Sequence, residues 1–301
     1  MMVNRWWVYQ KERFPVLKHG LPIAVFSVSA VSYSVLVHGR RMPSIAAMVV
    51  AFVSVFLFFL QMRIADEFKD FADDARYRPY RPVPRGLVSL RELGWLGVGT
   101  AIIQLLLAFW LSPSLALLLG LVWLYFGLMC KEFFVRDWLK GHPLVYMLSH
   151  LVYVPLINLY ASACDWLVVG NVPNAKIFWF LAASFFTGTA IEIGRKIRAP
   201  EAEEFGVETY SAIWGRGKAV VAWVWVLGLS AIATSIAASQ INFTTPVSWL
   251  LGILLASVVG VGWLFLQKPL TKRAKLIEAM TALWTLLVYL CLGIVPLLLR
   301  L

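Results

Sequence analysis

The stretch Arg63–Gly86, RIADEFKDFADDARYRPYRPVPRG, begins inside an apolar run and ends in a segment of arginines and prolines. Between the two crowd Asp66, Glu67, Asp70, Asp73 and Asp74. Asp66, Asp70 and Asp74 stand at i, i+4 and i+8, a spacing that stacks three carboxylates along one face of a helix. Carboxylates that close repel, so a cation normally sits between them. Hard oxygen donors suit Mg²⁺, which keeps some of its waters and completes its shell with substrate phosphates. The plain alternative is a solvated acidic helix end. Position weighs against it, because the cluster closes an apolar segment of membrane length, where charge is costly and usually functional.

Outward from that stretch the chain is apolar in both directions. Of its 301 residues 60% are hydrophobic, and the mean hydropathy is +0.77. Soluble domains are nearer half apolar, so the chain reads as an all-α integral membrane protein. Apolar stretches of about 20 residues, long enough to span, fall at 21–38, 43–65, 92–112, 114–131, 144–164, 174–194, 217–239, 246–267 and 276–299. The expected fold is one domain over 1–301, a bundle of about nine transmembrane helices set in a lipid bilayer. The segments 66–91, 131–143 and 192–216 would then cap the site. Ser27, Ser29, Ser32 and Ser34 make the first span the least apolar of the set. Residues 1–20, with Trp6 and Trp7 among mixed charges, read as an interfacial lead-in and not a signal peptide. Cys130, Cys164 and Cys291 are odd in number and far apart, which argues against a disulfide framework and against a zinc site.

The net charge of +11 follows membrane topology and implies no nucleic-acid partner. Of 27 basic residues, 23 fall on the N-terminal segment and the even-numbered connections; Arg40, Arg41, Lys176 and Arg300 lie on the other side. Cytoplasmic loops carry the excess of Lys and Arg, so the N-terminus is expected inside and the C-terminus outside, in a plasma (inner) membrane. The acids are equally lopsided. A second group, Glu192, Glu201, Glu203, Glu204 and Glu208, lies on the same expected side, in EIGRKIRAPEAEEFGVETYSAIWG (192–215). Two clusters of acids with adjacent bases suit a polyanion held through metal.

DEFKDFADD followed by RPYRPVPRG resembles the first Asp-rich motif of the UbiA superfamily of intramembrane prenyltransferases, over essentially the whole chain. Asp66, Asp70 and Asp74 match the motif positions, with Asp66 where the family more often has Asn. The second motif departs from the family's DxxxD. It keeps the turn (Gly206, Val207, Thr209, Gly215), but Glu192 is followed by Arg195 and Lys196, and Pro200 separates it from Glu201 and Glu204. The resemblance implies ionisation of an allylic isoprenyl diphosphate with Mg²⁺ and transfer of the prenyl group to an unknown, lipid-soluble acceptor. A terpene cyclase on the same fold is the alternative, and a non-enzymatic transporter a more remote one. It implies Asp66, Asp70, Asp74 and Glu192 as catalytic and metal-binding residues. Arg63, Lys69, Arg78, Arg81, Arg85, Lys131, Arg195 and Lys196 would contact the diphosphate. Plainer readings stand beside these: Glu192–Lys196 as a helix-surface ion pair, Lys131 as a topological anchor, and Arg81 and Arg85 as lipid-headgroup contacts. His142 and His150 read as structural, and Asn158 and Tyr160 as interhelical hydrogen-bonding groups.

Overall fold

The computed structural model describes residues 4–204 and 207–300, and among these there is helix and no strand. The Gly206 turn and the first three residues of the expected interfacial segment lie outside the described residues. The helices are α1 (Arg5–Arg13), α2 (Val16–Val37), α3 (Ile45–Lys69), α4 (Phe71–Tyr77), α5 (Leu90–Leu111), α6 (Leu115–Cys130), α7 (Arg136–Lys140) and α8 (Pro143–Leu151). Then come α9 (Tyr153–Trp166), α10 (Ile177–Arg195), α11 (Tyr210–Ile213), α12 (Arg216–Ser239), α13 (Thr244–Gln267), α14 (Thr271–Tyr289) and α15 (Val295–Leu298).

Eight segments among the described residues are long and apolar enough to cross a membrane, with α8 and α9 together forming one of them. The shorter α6 takes the place of the fourth expected span. Its 16 residues rise only about 24 Å, less than the roughly 30 Å of a hydrocarbon core. Nine is therefore an approximate count. The chain is an integral membrane protein.

The first span begins at Val16 and not at 21, with Pro22 inside the helix. Its serines, far from marking a weak span, are buried: Ser27, Ser29, Ser32 and Ser34 are all closed to solvent. Small side chains let backbones approach where lipid gives no hydrophobic drive between helices. At the α2 contact a Cβ on Gly293 would sit 2.4 Å from the Ser29 Cα, so glycine is required there. Gly293 belongs to a π-helical turn, Leu290–Ile294, between α14 and α15. Around α2 pack α9, α3 and this turn, while α10 packs on α12, α14 and α9.

Side-chain contacts bring the connections of interest to one end of the bundle. Lys69, closing α3, meets Glu132 just after α6 and Tyr146 on α8. Arg195, closing α10, is within electrostatic reach of Asp66. The helix α1 is strapped across the same end by Glu12–Arg85 (2.9 Å), Arg5–Glu92 (2.5 Å) and Arg13–Glu67. Tyr9 packs into a small apolar cluster with Ile64, Val83, Val88 and Leu93. At the opposite end Arg40 and Ser34 close on the buried Asp165.

Candidate functional site

The carboxylate row begins as expected and then bends. Helix α3 stops at Lys69, and Asp70 sits between helices with φ −91° and ψ 1°. Amide bonds from Asp70 to the Asp66 carbonyl (2.9 Å) and from Asp74 to the Asp70 carbonyl (2.8 Å) carry the turn through the break. Asp66 pairs with Arg63 at 3.1 Å and stays partly open. Asp74 turns inward instead. It is buried, accepts from Arg81 at 2.6 and 2.8 Å and from Arg78 at 3.2 Å, and has Arg13 at 4.0 Å. Arg85 is engaged by Glu12 and the Tyr80 carbonyl (2.9 Å). The Arg-Pro run thus folds back on Asp74 and α1. Asp70 differs from both neighbours, because no ion pair or hydrogen bond of its carboxylate is seen among the described residues. Burial, and then the charge of Asp74, holds its carboxyl above the usual carboxylate range.

Facing this row is a turn the sequence did not advertise. Glu132, Phe133 and Phe134 all have left-handed backbone, with φ of 50°, 52° and 59°. None is glycine, so each residue costs about 1 kcal/mol or more. The turn sends Glu132 inward, 5% exposed, where it pairs with Lys69 at 2.7 Å. Lys69 also donates to the Tyr146 hydroxyl, with its ammonium 4.8 Å from that ring. Between the two walls lies a cavity of about 610 Å³. Asp66, Lys69, Glu132, Lys131 and Arg136 give it charge, His150 adds a polar ring, and Met62, Ala65, Phe68 and Met129 give it apolar surface.

The second acidic region carries its own cations. Glu192 binds Arg195 at 2.5 Å and Lys196 at 2.9 Å, the i, i+3 and i, i+4 pairs of a helix end. The Lys196 ammonium also lies 5.2 Å from the Tyr210 ring. Burial, followed by the Glu192 charge, raises the Tyr210 phenol pKa. Three of the other glutamates have partners within the fold. Glu201 accepts from the Thr271 amide (3.0 Å) and hydroxyl (3.1 Å) at the start of α14, and the amide bond lowers its pKa. Glu203 accepts from the Thr209 hydroxyl at 2.7 and 2.9 Å, and Glu204 pairs with Arg198 at 3.3 Å.

A model of the UbiA prenyltransferase family matches residues 24–287. The chain belongs to the UbiA prenyltransferase family. No curated protein matches it in sequence. Among solved structures, a UbiA homologue from Aeropyrum pernix K1 without ligand superposes with a TM-score of 0.66 at 14% identity, covering 88% of this chain and 94% of that one. A structure of digeranylgeranylglyceryl phosphate synthase gives 0.63 at 15% identity, covering 94% and 99%. A UbiA homologue from Archaeoglobus fulgidus bound to DMAPP and Mg²⁺ gives 0.53 at 12% identity, covering 91% and 97%. At such identities the likeness is one of fold. Membership of the family carries a function of prenyltransferase type.

Of the four carboxylates expected to hold Mg²⁺, Asp70 lies within electrostatic reach of both Asp66 and Asp74, while Asp74 and Glu192 are in direct ion pairs with arginines and a lysine. No group of three or more His, Cys, Asp or Glu among the described residues is arranged to cage a metal. That still fits Mg²⁺, which usually takes one or two carboxylates and completes its shell with water and substrate phosphates. Asp70 has Lys69, Arg63 and Arg81 within electrostatic reach but no direct ion pair among the described residues, and it lies beside the cavity rather than in its lining.

Most of the other candidate residues have partners within the protein. Arg78 and Arg81 are paired with Asp74 and Arg85 with Glu12 on α1, Lys69 and Lys131 line the cavity, and Arg195 is within electrostatic reach of Asp66. Asn158 donates to Ser184 (2.5 Å) and to the Tyr289 hydroxyl (3.0 Å), and Tyr160 meets Ser54 at 3.5 Å, all between helices. His142 lies off the cavity, stacked on Trp138 at 4.4 Å. Glu132, Tyr146 and Arg13 carry no signal in the sequence, and Glu67 stands there only as one acid of the cluster. Arg13 and Glu67 stand 54 positions apart, and no spacing rule connects them.

Proposed function

We propose that this chain is a Mg²⁺-dependent transferase that ionises an allylic isoprenoid diphosphate and passes the prenyl group to a lipid-soluble acceptor. The observation that carries this reading is the mixed lining of the cavity. Asp66, Glu132, Lys69, Lys131 and Arg136 line it together with apolar side chains of α3 and α6. A diphosphate needs the charged groups and an isoprenoid tail the apolar ones. The DMAPP and Mg²⁺ held by the Archaeoglobus fulgidus homologue support the same ligand class.

When bound, Mg²⁺ supplies electrostatic stabilisation of the charge that develops on the leaving diphosphate. Asp66 and Asp70 are the residues that would hold it. Lys69, Lys131 and Arg195 offer positive charge to the diphosphate, which departs with the electron pair of the C–O bond. The acceptor then bonds to the prenyl carbon and gives up one proton. Met62, Phe68 and Met129 keep water from the reacting carbon. By the excess of basic residues this end faces the cytoplasm, with the N-terminus inside.

The test is turnover of dimethylallyl diphosphate by the purified protein in liposomes, with and without a lipid-soluble acceptor pool extracted from membranes. Acceptor-dependent release of diphosphate that stops with EDTA and returns with Mg²⁺ is expected. Turnover in metal-free buffer contradicts the proposal, and a cyclic product from a longer prenyl diphosphate without acceptor assigns the chain to terpene cyclisation.

A further inference from the structure

We propose that Glu132 is a positioning residue, which fixes the Lys69 ammonium so that one N–H remains to meet a diphosphate. The inference rests on the diphosphate reading above and adds to it a residue outside both acidic motifs. An ammonium has three donors and no acceptor. Glu132 Oε1 takes one at 2.7 Å and the Tyr146 hydroxyl takes a second. The third belongs to a side chain that lines the cavity beside Asp66.

Both acceptors are themselves held. Glu132 is 5% exposed, and its second oxygen, Oε2, is buried without a hydrogen-bond partner, with Arg136 at 3.8 Å from it. Tyr146 stacks on His150 with ring centres 4.1 Å apart, and His150 Nδ1 bonds the Tyr146 carbonyl at 2.8 Å. Phe133 sets its ring at a steep angle to both His150 and Tyr125. The left-handed run Glu132–Phe134 is what brings the carboxylate and the Phe133 ring to these places. Strain of this kind in a non-glycine turn persists only when its surroundings enforce it, and it gathers where geometry serves function. A flexible lysine loses much rotamer freedom on binding an anion. Here that freedom is already lost before the anion arrives.

The direction of the effect separates this role from simple charge balance. Removing Glu132 removes a negative charge from the cavity, which by itself tightens the binding of an anion. Positioning demands the opposite. The experiment is calorimetric titration of the full-length protein in detergent with inorganic pyrophosphate at saturating Mg²⁺. Glu132→Ala is expected to weaken binding about tenfold. Glu132→Gln, which keeps an acceptor oxygen, stays within about threefold of wild type, and Tyr146→Phe, which removes the other acceptor but keeps the ring, weakens binding about threefold. In a Lys69→Ala background Glu132→Ala is expected to have no further effect, because its influence runs through the lysine. In steady state with dimethylallyl diphosphate, Glu132→Ala raises KM more than it lowers kcat. Unchanged or tighter pyrophosphate binding by Glu132→Ala, or an equal loss with Lys69 absent, overturns the role. If Glu132→Ala does not fold, Tyr146→Phe decides, and wild-type binding by that variant overturns the two-point grip. Failure of the wild-type protein itself to bind pyrophosphate overturns the diphosphate reading instead.

Discussion

The two acidic regions each set five acids beside bases, and they differ as charge distributions. Around Asp66 and Asp70 the carboxylates are incompletely answered: Asp66 shares Arg63, and Asp70 has no ion-pair partner among the described residues. Around Glu192 the balance is already tipped to positive, since one carboxylate meets both Arg195 and Lys196. In the first region Asp70 is reached by cations only at a distance, and in the second Glu192 is in direct contact with two. On the proposed reading a diphosphate would meet metal at the first region and fixed bases at the second. Counting acids does not distinguish the regions; tracing which base reaches which acid does.

The largest expected effect falls on Asp70. Asp70→Asn should lower kcat by about a hundredfold or more, since each ~1.4 kcal/mol of transition-state stabilisation is a factor of ten. Retained turnover would place the cation elsewhere. Next comes a contrast inside the first region. Asp74 is spent on Arg81, Arg78 and Arg13, so Asp74→Ala leaves those cations without their anion and is expected to cost about 3 kcal/mol of stability. Thermal unfolding in detergent reads this, and an unchanged midpoint would show that the arginines find other partners.

Glu192→Gln sharpens the comparison from the other side. Loosening Arg195 and Lys196 should raise the KM for diphosphate about tenfold and leave kcat within about threefold, because binding and not chemistry is disturbed. A fall in kcat matching that of Asp70→Asn would make Glu192 a ligand. The smallest effects belong to the loop glutamates. Glu203→Gln is expected to change activity less than about threefold. Glu201 caps α14, and its pKa is lowered in the folded protein by the Thr271 amide. Its contribution to stability is therefore present above the unfolded carboxylate pKa and is lost as pH falls through the lower folded value. Comparing the unfolding midpoints of wild type and Glu201→Gln across pH 3–7 should show a gap that closes at the acid end.

The sequence disclosed the parts of this molecule that repeat a local rule. Membrane-length apolar runs, and a row of aspartates at helical spacing, are written in neighbouring letters. What it hid depends on distant pairs. Nothing near Asp74 says that Arg13 on α1 lies within 4.0 Å of it. The serines of the first span weakened it as a sequence, yet they are what allows α2 to lie against Gly293. Glu132 left no trace at all, because its signal is a left-handed backbone on Glu-Phe-Phe, where a reader looks for glycine or asparagine. The ion pair of Glu192 with Lys196 was visible from spacing, but its consequence for metal was not, since that depends on Arg195 joining the same carboxylate.

The central claim is that one cation sits at the first region and none at the second. Equilibrium dialysis with Mn²⁺ in place of Mg²⁺, in the presence of inorganic pyrophosphate, counts it directly on the full-length protein. One pyrophosphate-dependent Mn²⁺ per chain is expected, lost in Asp70→Asn and retained in Glu192→Gln. Two ions per chain, or loss of the ion in Glu192→Gln, would contradict the account.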